Sequence, residues 1–176
     1  MSTHGNIVKK DGQWTVDGHI PSSPSKHPVL SCIAKDFEKA KNLLKFHAPS
    51  RPRETFKFLS HQHPNITPGH SIITLKIIVP PGAATPPHRH SGAAVTALMI
   101  EGVTLNQMND EPAKTYKEGE TWYESPGCHH VRSENNTKEE AAFYAVFIVD
   151  DKLIEESGYE GLFVLDKEEE EKKAKA

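Results

Sequence analysis

A series of short apolar segments with a side-chain period of two is the feature that most constrains the fold. The segments lie between about residues 54 and 149 and are separated by Gly, Pro and Asn residues that favour turns. The longest, 71–79 and 141–149, are rich in β-branched and aromatic residues, which favour strands. About nine such strands predict an all-β antiparallel sandwich or barrel. The other main segments are 55–59, 94–101, 103–108, 113–116, 120–124 and 128–134.

The sequence on either side of the predicted barrel has a different character. Residues 1–53 are polar and rich in turn residues, and they predict an N-terminal arm with one short helix near 35–47, where apolar residues recur at helical spacing. The predicted barrel occupies residues 54–150. Residues 151–176 form a C-terminal extension, and its charged end from about 167 onward is predicted to be disordered.

Composition narrows the classes of function. The chain has 176 residues and a net charge of −3, which argues against a nucleic-acid partner. Cys32 and Cys128 form no CxxC pair, as expected in a reducing compartment. The N-terminus lacks the apolar core of a signal peptide, and no apolar run approaches the length of a membrane span. We therefore expect a cytoplasmic protein with a small-molecule substrate and no membrane partner.

Two histidine clusters indicate a metal site. His88 and His90 flank Arg89, and on an extended segment this spacing places both imidazoles on one face. A third histidine from a later strand, His130, can complete a facial site. Three imidazoles suit zinc, iron, copper or nickel and leave coordination positions open for substrate. His129 would replace His130 if the strand register shifted by one residue.

The chain resembles the cupins, a superfamily of small barrels, through two motifs. In the first, five residues separate Gly82 from the His-x-His pair, and Glu101-Gly102 closes the segment. The second motif consists of Gly119, Pro126-Gly127, His130 and Asn135. The resemblance implies a double-stranded β-helix or jelly-roll barrel. Because such a barrel leaves edge strands exposed, we also expect a homodimer.

The sequence departs from the cupin pattern at one ligand. The glutamate ligand of the family falls at Val95, and the segment 91–97 contains no acid. The resemblance then implies a three-histidine site, as in cupins that resemble three-histidine iron dioxygenases and some zinc-dependent cyclases and lyases. We therefore expect one divalent ion, Fe²⁺ or Zn²⁺, at His88, His90 and His130, with Ni²⁺, Mn²⁺ and Cu²⁺ as alternatives.

These features leave three functions open. Small apolar residues between 83 and 99 suit an apolar or aromatic carbonyl or phenolic substrate, and the sequence slightly favours a dioxygenase. A redox-neutral lyase, cyclase or dehydratase is the alternative within the same class. The third reading is a non-catalytic small-molecule-binding cupin, because no acid or base stands out beside the predicted ligands.

Further polar residues are candidates for the cavity wall. Tyr123 could donate a hydrogen bond or act as an acid, Gln107 could contact substrate, and Arg132 could hold a substrate anion. The pair His61 and His63 has the same spacing as the main pair and is a weaker candidate for a second metal site.

Overall fold

The computed structural model describes residues 6–10, 13–17 and 51–166, and the chain divides into two compact units. In the smaller unit, β1 (Asn6–Lys10) and β2 (Gln13–Asp17) pair antiparallel. This hairpin lies in the region that the sequence predicts as an N-terminal arm. The predicted helix near 35–47 and the charged tail from 167 lie outside the described residues.

The larger unit consists mainly of two antiparallel sheets, which confirms the all-β cupin-type barrel. In chain order its strands are β3 (Thr55–Gln62), β4 (His70–Val79), β5 (Ala84–Thr85), β6 (His88–Arg89), β7 (Ala94–Glu101), β8 (Val103–Met108), β9 (Lys114–Lys117), β10 (Thr121–Glu124), β11 (His130–Glu134), β12 (Ala141–Asp150) and β13 (Val164–Leu165). One sheet has the order β10-β7-β12-β4-β3. The other has the order β13-β6-β11-β8-β9, with β5 also paired to β11.

The core lies against the inner faces of these strands. Strand β12 pairs with β4 from Ala141↔Val79 to Asp150↔His70, and it pairs with β7 on its other side. Alternate residues of β4, including Ile73 and Leu75, are fully buried, while their neighbours are partly exposed. The period of two in the sequence therefore corresponds to one buried face, as expected for strands that cover a core.

Residues after β12 complete the core. Helix α1 (Asp151–Ser157) begins at the Asp150 side chain, which accepts a hydrogen bond from the Lys152 backbone N–H. A 3₁₀ turn (Gly158–Leu162) and β13 follow, and Leu162 is fully buried in the core cluster. Residues 151–166, which the sequence predicts as part of a C-terminal extension, thus contribute apolar side chains to the core. No helix among the described residues has the length and apolar character needed to cross a bilayer.

Gly102 links β7 to β8 at a position that excludes a side chain. Its φ is +67°, and a Cβ atom there would lie 2.6 Å from the Glu140 carbonyl oxygen. Gly119 also has positive φ, at +82°, but a Cβ there would meet nothing within 4 Å. A substitution at Gly119 therefore tests the cost of backbone strain alone, and a substitution at Gly102 tests strain together with a steric clash.

We predict that Gly102→Ala lowers the free energy of unfolding by about 2–4 kcal/mol, because it adds a backbone clash to the strain of positive φ. Gly119→Ala carries the strain alone and should cost about 1–2 kcal/mol. Denaturant unfolding of both variants measures the difference. Equal losses would contradict the close approach at Gly102.

Candidate metal centre

Three histidines from two paired strands meet inside the barrel. His88 lies on β6, His90 directly follows it, and His130 begins β11 at a position paired with His88. Their side chains each offer one ring nitrogen, and these nitrogens lie within 4.8 Å of one another. All three residues are buried, while Arg89 between the first two is exposed. The predicted grouping of His88, His90 and His130 is therefore present.

His129 points away from this group. Its Nε2 lies 3.0 Å from the Asp166 carboxylate, and its side chain is partly exposed. The sequence left open whether His129 or His130 joins His88 and His90, and in the structure it is His130.

Backbone carbonyls orient two of the rings. The Nδ1 of His88 lies 2.7 Å from the Pro86 carbonyl oxygen, and the Nδ1 of His90 lies 2.9 Å from that of Leu162. A carbonyl only accepts, so each Nδ1 carries the hydrogen, and in the neutral ring Nε2 has a free lone pair. Metal-binding histidines are oriented in this way by their outer partners. Burial, followed by the neighbouring His90 and His130, holds the pKa of His88 well below its usual value, which favours the neutral form.

A glutamate that the sequence analysis missed joins the group. Glu124, at the end of β10, is 4% exposed. Its Oε1 accepts a hydrogen bond of 2.9 Å from the Trp122 indole, and its Oε2 lies 3.0 Å from His90 Nε2 and 3.4 Å from His130 Nδ1. Burial would raise the pKa of this carboxyl, but the charge of a protonated His130 or His90 would outweigh burial and hold the pKa well below its usual range. The expectation of no acid beside the histidines was therefore wrong.

The donor set fits a divalent cation. Neither ring nitrogen of His130 makes a hydrogen bond within residues 51–166, and neither does Glu124 Oε2. Buried polar atoms are nearly always paired, so unpaired atoms of two neighbouring side chains indicate a missing partner. Neutral imidazoles and one carboxylate are ligands that Fe²⁺, Zn²⁺ and Mn²⁺ accept. The buried histidines could therefore hold a metal ion, and the ligand set does not select which one.

A small, largely apolar cavity opens beside the histidines. Its volume is about 40 Å³. Apolar side chains form most of the wall, and the polar remainder comprises Glu54, Thr85 and Ser133 together with the histidines and Glu124. Of the small apolar residues in the segment 83–99, Val95 is the one that lines it.

Glu54 is a second buried acid that the sequence analysis missed. It precedes β3, it is 6% exposed, and it faces the same cavity as the histidines. Neither of its carboxylate oxygens makes a hydrogen bond of normal geometry to a described residue. Burial raises the pKa of this carboxyl, an effect that the nearby Thr85 hydroxyl and Arg53 only partly oppose. Glu54 is thus a buried acid on the cavity wall, and neither of its oxygens has a hydrogen-bond partner of normal geometry among the described residues.

The three residues predicted as catalytic do not line this cavity as the described residues define it. Tyr123 is 59% exposed, because it lies between the buried Trp122 and Glu124 on the alternating strand β10. Gln107 donates to the Glu111 carbonyl at the surface. Arg132 pairs with the Glu134 carboxylate at 2.8 and 3.1 Å.

A β-bulge explains the error at Arg132. The pairing of β11 with β8 shifts between His130 and Arg132, so two residues of β11 oppose one step of β8. A bulge changes which residues face inward. Arg132 therefore loses the orientation that it would share with His130 in a regular strand, and Ser133 lines the cavity in its place.

The second histidine pair belongs to a separate network that includes the buried residues Ser71 and Tyr159. His61 contacts the Ser71 hydroxyl at 2.7 Å and the Tyr159 hydroxyl at 2.8 Å, and His63 lies 3.3 Å from Asp151. Ser71 also bridges to Asp151. In the described part of the chain, the grouping with metal-site geometry is the one at His88, His90 and His130.

Comparison with known proteins places this barrel in a family. Residues 75–147 match the family model described as a cupin domain. This match, with the fold and the histidine motifs, identifies a cupin domain at residues 75–147. A comparison with curated protein sequences found no match.

Solved structures with similarity to the chain include proteins described as cupins. One is an uncharacterized protein with a double-stranded β-helix domain from Klebsiella pneumoniae, 17% identical, with TM-score 0.48 over 61% of this chain and 86% of that one. Another is the Cnp3 cupin domain of Schizosaccharomyces pombe, 16% identical, with TM-score 0.49 over 65% and 73%. A third is an RmlC-like cupin family protein from Methanocaldococcus jannaschii, 19% identical, with TM-score 0.47 over 63% and 93%.

We predict a structural role for Arg132 that pH can reveal. Arg132, ahead of other partners, holds the pKa of Glu134 at about 2. Because the pKa of Glu134 is lower in the folded protein than its ordinary value of 4.5, its ionised carboxylate stabilises the fold at pH values above 4.5. This stabilisation is lost as the pH falls towards 2. Arg132→Gln should therefore cost about 0.5–1 kcal/mol at pH 7 and much less near pH 2. Denaturant unfolding across this range tests it, and a pH-independent loss would contradict it.

Proposed function

We propose that this cupin is a metal-dependent enzyme that acts on a small carbonyl compound. The observation that carries the proposal is one buried cavity that contains both the His88, His90 and His130 cluster and the unpaired carboxyl of Glu54. A bound divalent ion, Fe²⁺ or Zn²⁺ in the first instance, would supply Lewis acidity that polarises a carbonyl oxygen.

The cavity favours a small aliphatic substrate over an aromatic one. Its volume of about 40 Å³ is well below the roughly 150 Å³ of an apolar cavity known to bind benzene. Phe56, Phe147 and Phe163 are among the side chains that enclose it. These rings exclude water and suit a short apolar chain attached to the carbonyl group.

Glu54 is the proposed proton acceptor. Its ionised carboxylate takes a proton from the carbon beside the carbonyl, so that a C–H bond breaks and an O–H bond forms on Glu54. The electron pair stays on the substrate and delocalises onto the carbonyl oxygen. The protonated Glu54 then returns the proton to the same carbon or to another atom, and no oxidant is needed. Such a step is common to lyase, cyclase and dehydratase chemistry.

This reasoning changes the preference between the two enzyme classes. The sequence slightly favoured a dioxygenase, but it did not reveal that Glu54 lines the cavity with both carboxylate oxygens unpaired. An acid placed beside the histidines favours proton transfer, so the redox-neutral class becomes our first proposal. The dioxygenase and the non-catalytic binding protein are the alternatives that the experiment must separate. The homodimer and the cytoplasmic location remain predictions.

Deuterium exchange tests the proposal before the natural substrate is known. The protein, loaded with Fe²⁺ or Zn²⁺, is incubated in D₂O with a panel of small ketones, 2-oxo acids and 1,3-diketones. Loss of the proton signal beside the carbonyl is followed by NMR, and oxygen uptake is recorded in parallel. We expect exchange without oxygen uptake. Oxygen uptake would favour the dioxygenase, and neither signal would favour the binding protein.

We predict that Glu54→Gln lowers this exchange about 10²–10⁴-fold, because the amide cannot accept the proton. Metal content measured by elemental analysis should stay the same, because Glu54 makes no ion pair with the histidines. Glu118→Gln, an exposed change in the turn after β9, is the matched control. Undiminished exchange in the Glu54 variant would remove this residue from the mechanism.

A further inference from the structure

We propose that Glu124 is a fourth metal ligand, supplied from β10 at the position that faces Val95 on β7. The inference rests on the proposed metal site, but it concerns which residues complete that site. In the cupin motif a glutamate occupies the Val95 position on the strand itself. Here the carboxylate comes from the neighbouring strand, so the motif alone does not reveal it.

The strand register places Glu124 and Val95 side by side on the same face of the sheet. β10 and β7 pair antiparallel, and Glu124 lies directly opposite Val95. Directly opposed residues project from the same face of a sheet, with Cβ atoms about 4.5–5.5 Å apart. Both side chains are buried, and both line the cavity beside the histidines. The Glu124 carboxylate therefore reaches the part of the cavity that a glutamate at position 95 would occupy, and the smaller Val95 side chain leaves room for it.

The contact between Glu124 and His90 indicates a cation between them. His90 uses its Nδ1–H to donate to the Leu162 carbonyl, so the neutral ring presents a lone pair at Nε2. This Nε2 lies 3.0 Å from Glu124 Oε2, and the contact does not have hydrogen-bond geometry. Two acceptors at this distance repel each other without a cation. Ligand atoms bound side by side to one ion at about 2.0–2.2 Å lie about 3 Å apart.

Trp122 holds the carboxylate in this orientation. Its indole N–H donates to Oε1, which leaves Oε2 directed at the histidines. Outer hydrogen bonds of this kind orient metal-binding carboxylates. The competing arrangement is an ion pair in which a protonated His90 donates to Glu124 and no metal contacts the glutamate. The two arrangements differ in what the loss of Glu124 does to metal binding.

Metal affinity of the full-length protein is the first test. Mn²⁺ and Zn²⁺ binding is measured by calorimetry for the wild type and for Glu124→Gln, which keeps an acceptor for Trp122. We expect the variant to bind about 100-fold more weakly, with a larger loss for Mn²⁺, because carboxylate oxygen suits Mn²⁺ and imidazole suits Zn²⁺. Unchanged affinity in a folded variant would overturn the proposal in favour of the ion pair.

Two controls separate ligation from other effects. Glu54→Gln removes a buried carboxyl from the same cavity without touching the histidines, and it should weaken binding less than about tenfold. If it weakens binding as much as Glu124→Gln, a general electrostatic effect replaces ligation and the proposal fails. His88→Ala should abolish stoichiometric binding. Full metal content in that variant would overturn the proposed metal site itself, whatever Glu124 does.

A swap of the two facing positions tests the equivalence directly. Glu124→Val should lose affinity, and the double change Glu124→Val with Val95→Glu should recover most of it. A folded double variant without recovery would overturn the equivalence of the two positions. If the variants do not fold, a crystal structure of the wild type with Zn²⁺ decides. Glu124 in contact with the ion supports the proposal, and an ion held by the histidines alone overturns it.

Discussion

Burial of titratable side chains at the centre of the barrel is the constraint on which the rest of the structure depends. Removing an imidazole or a carboxylate from water costs several kcal/mol unless its polar atoms are paired. Fixed backbone carbonyls meet part of this cost, because Pro86 and Leu162 accept the Nδ1–H groups of His88 and His90. The atoms left without hydrogen bonds include both nitrogens of His130 and Oε2 of Glu124, and Nδ1 of His130 lies 3.4 Å from that Oε2. Among the described residues, these unpaired atoms of His130 and Glu124 mark the place where an ion would fit.

The C-terminal segment is part of this arrangement. Leu162, which orients His90, lies 72 residues further along the chain and belongs to the 3₁₀ turn after α1. Ser91 donates to the carbonyl of Gly161, so a second bond joins the same two segments. The sequence could not predict this contact, because the apolar groups after residue 150 are too short to show a period. Their role depends on a partner that only the tertiary fold brings close.

Local geometry decided which site residues could be predicted. The His-x-His pair needs only strand alternation, and both rings point inward as expected. The same rule applied to Arg132 failed, because a bulge after His130 changes the alternation and no residue in the segment signals it. Glu124 was within reach of sequence reasoning, since it shares the inward face of β10 with the apolar Trp122. Glu54 precedes the first barrel strand, and its place in the cavity is set by packing alone.

The total charge of the proposed site is consistent with Glu124 as a metal ligand and Glu54 as a proton acceptor. On the proposed ligand set, three neutral imidazoles and one carboxylate leave a divalent ion with one uncompensated positive charge. A buried cavity tolerates one further negative charge there, but not two, because each unpaired charge is costly in an apolar surrounding. A neutral carbonyl substrate beside an ionised Glu54 meets this condition. Transfer of a proton from substrate to Glu54 moves the negative charge to the substrate and keeps the total unchanged, so the step needs no water to solvate a new charge.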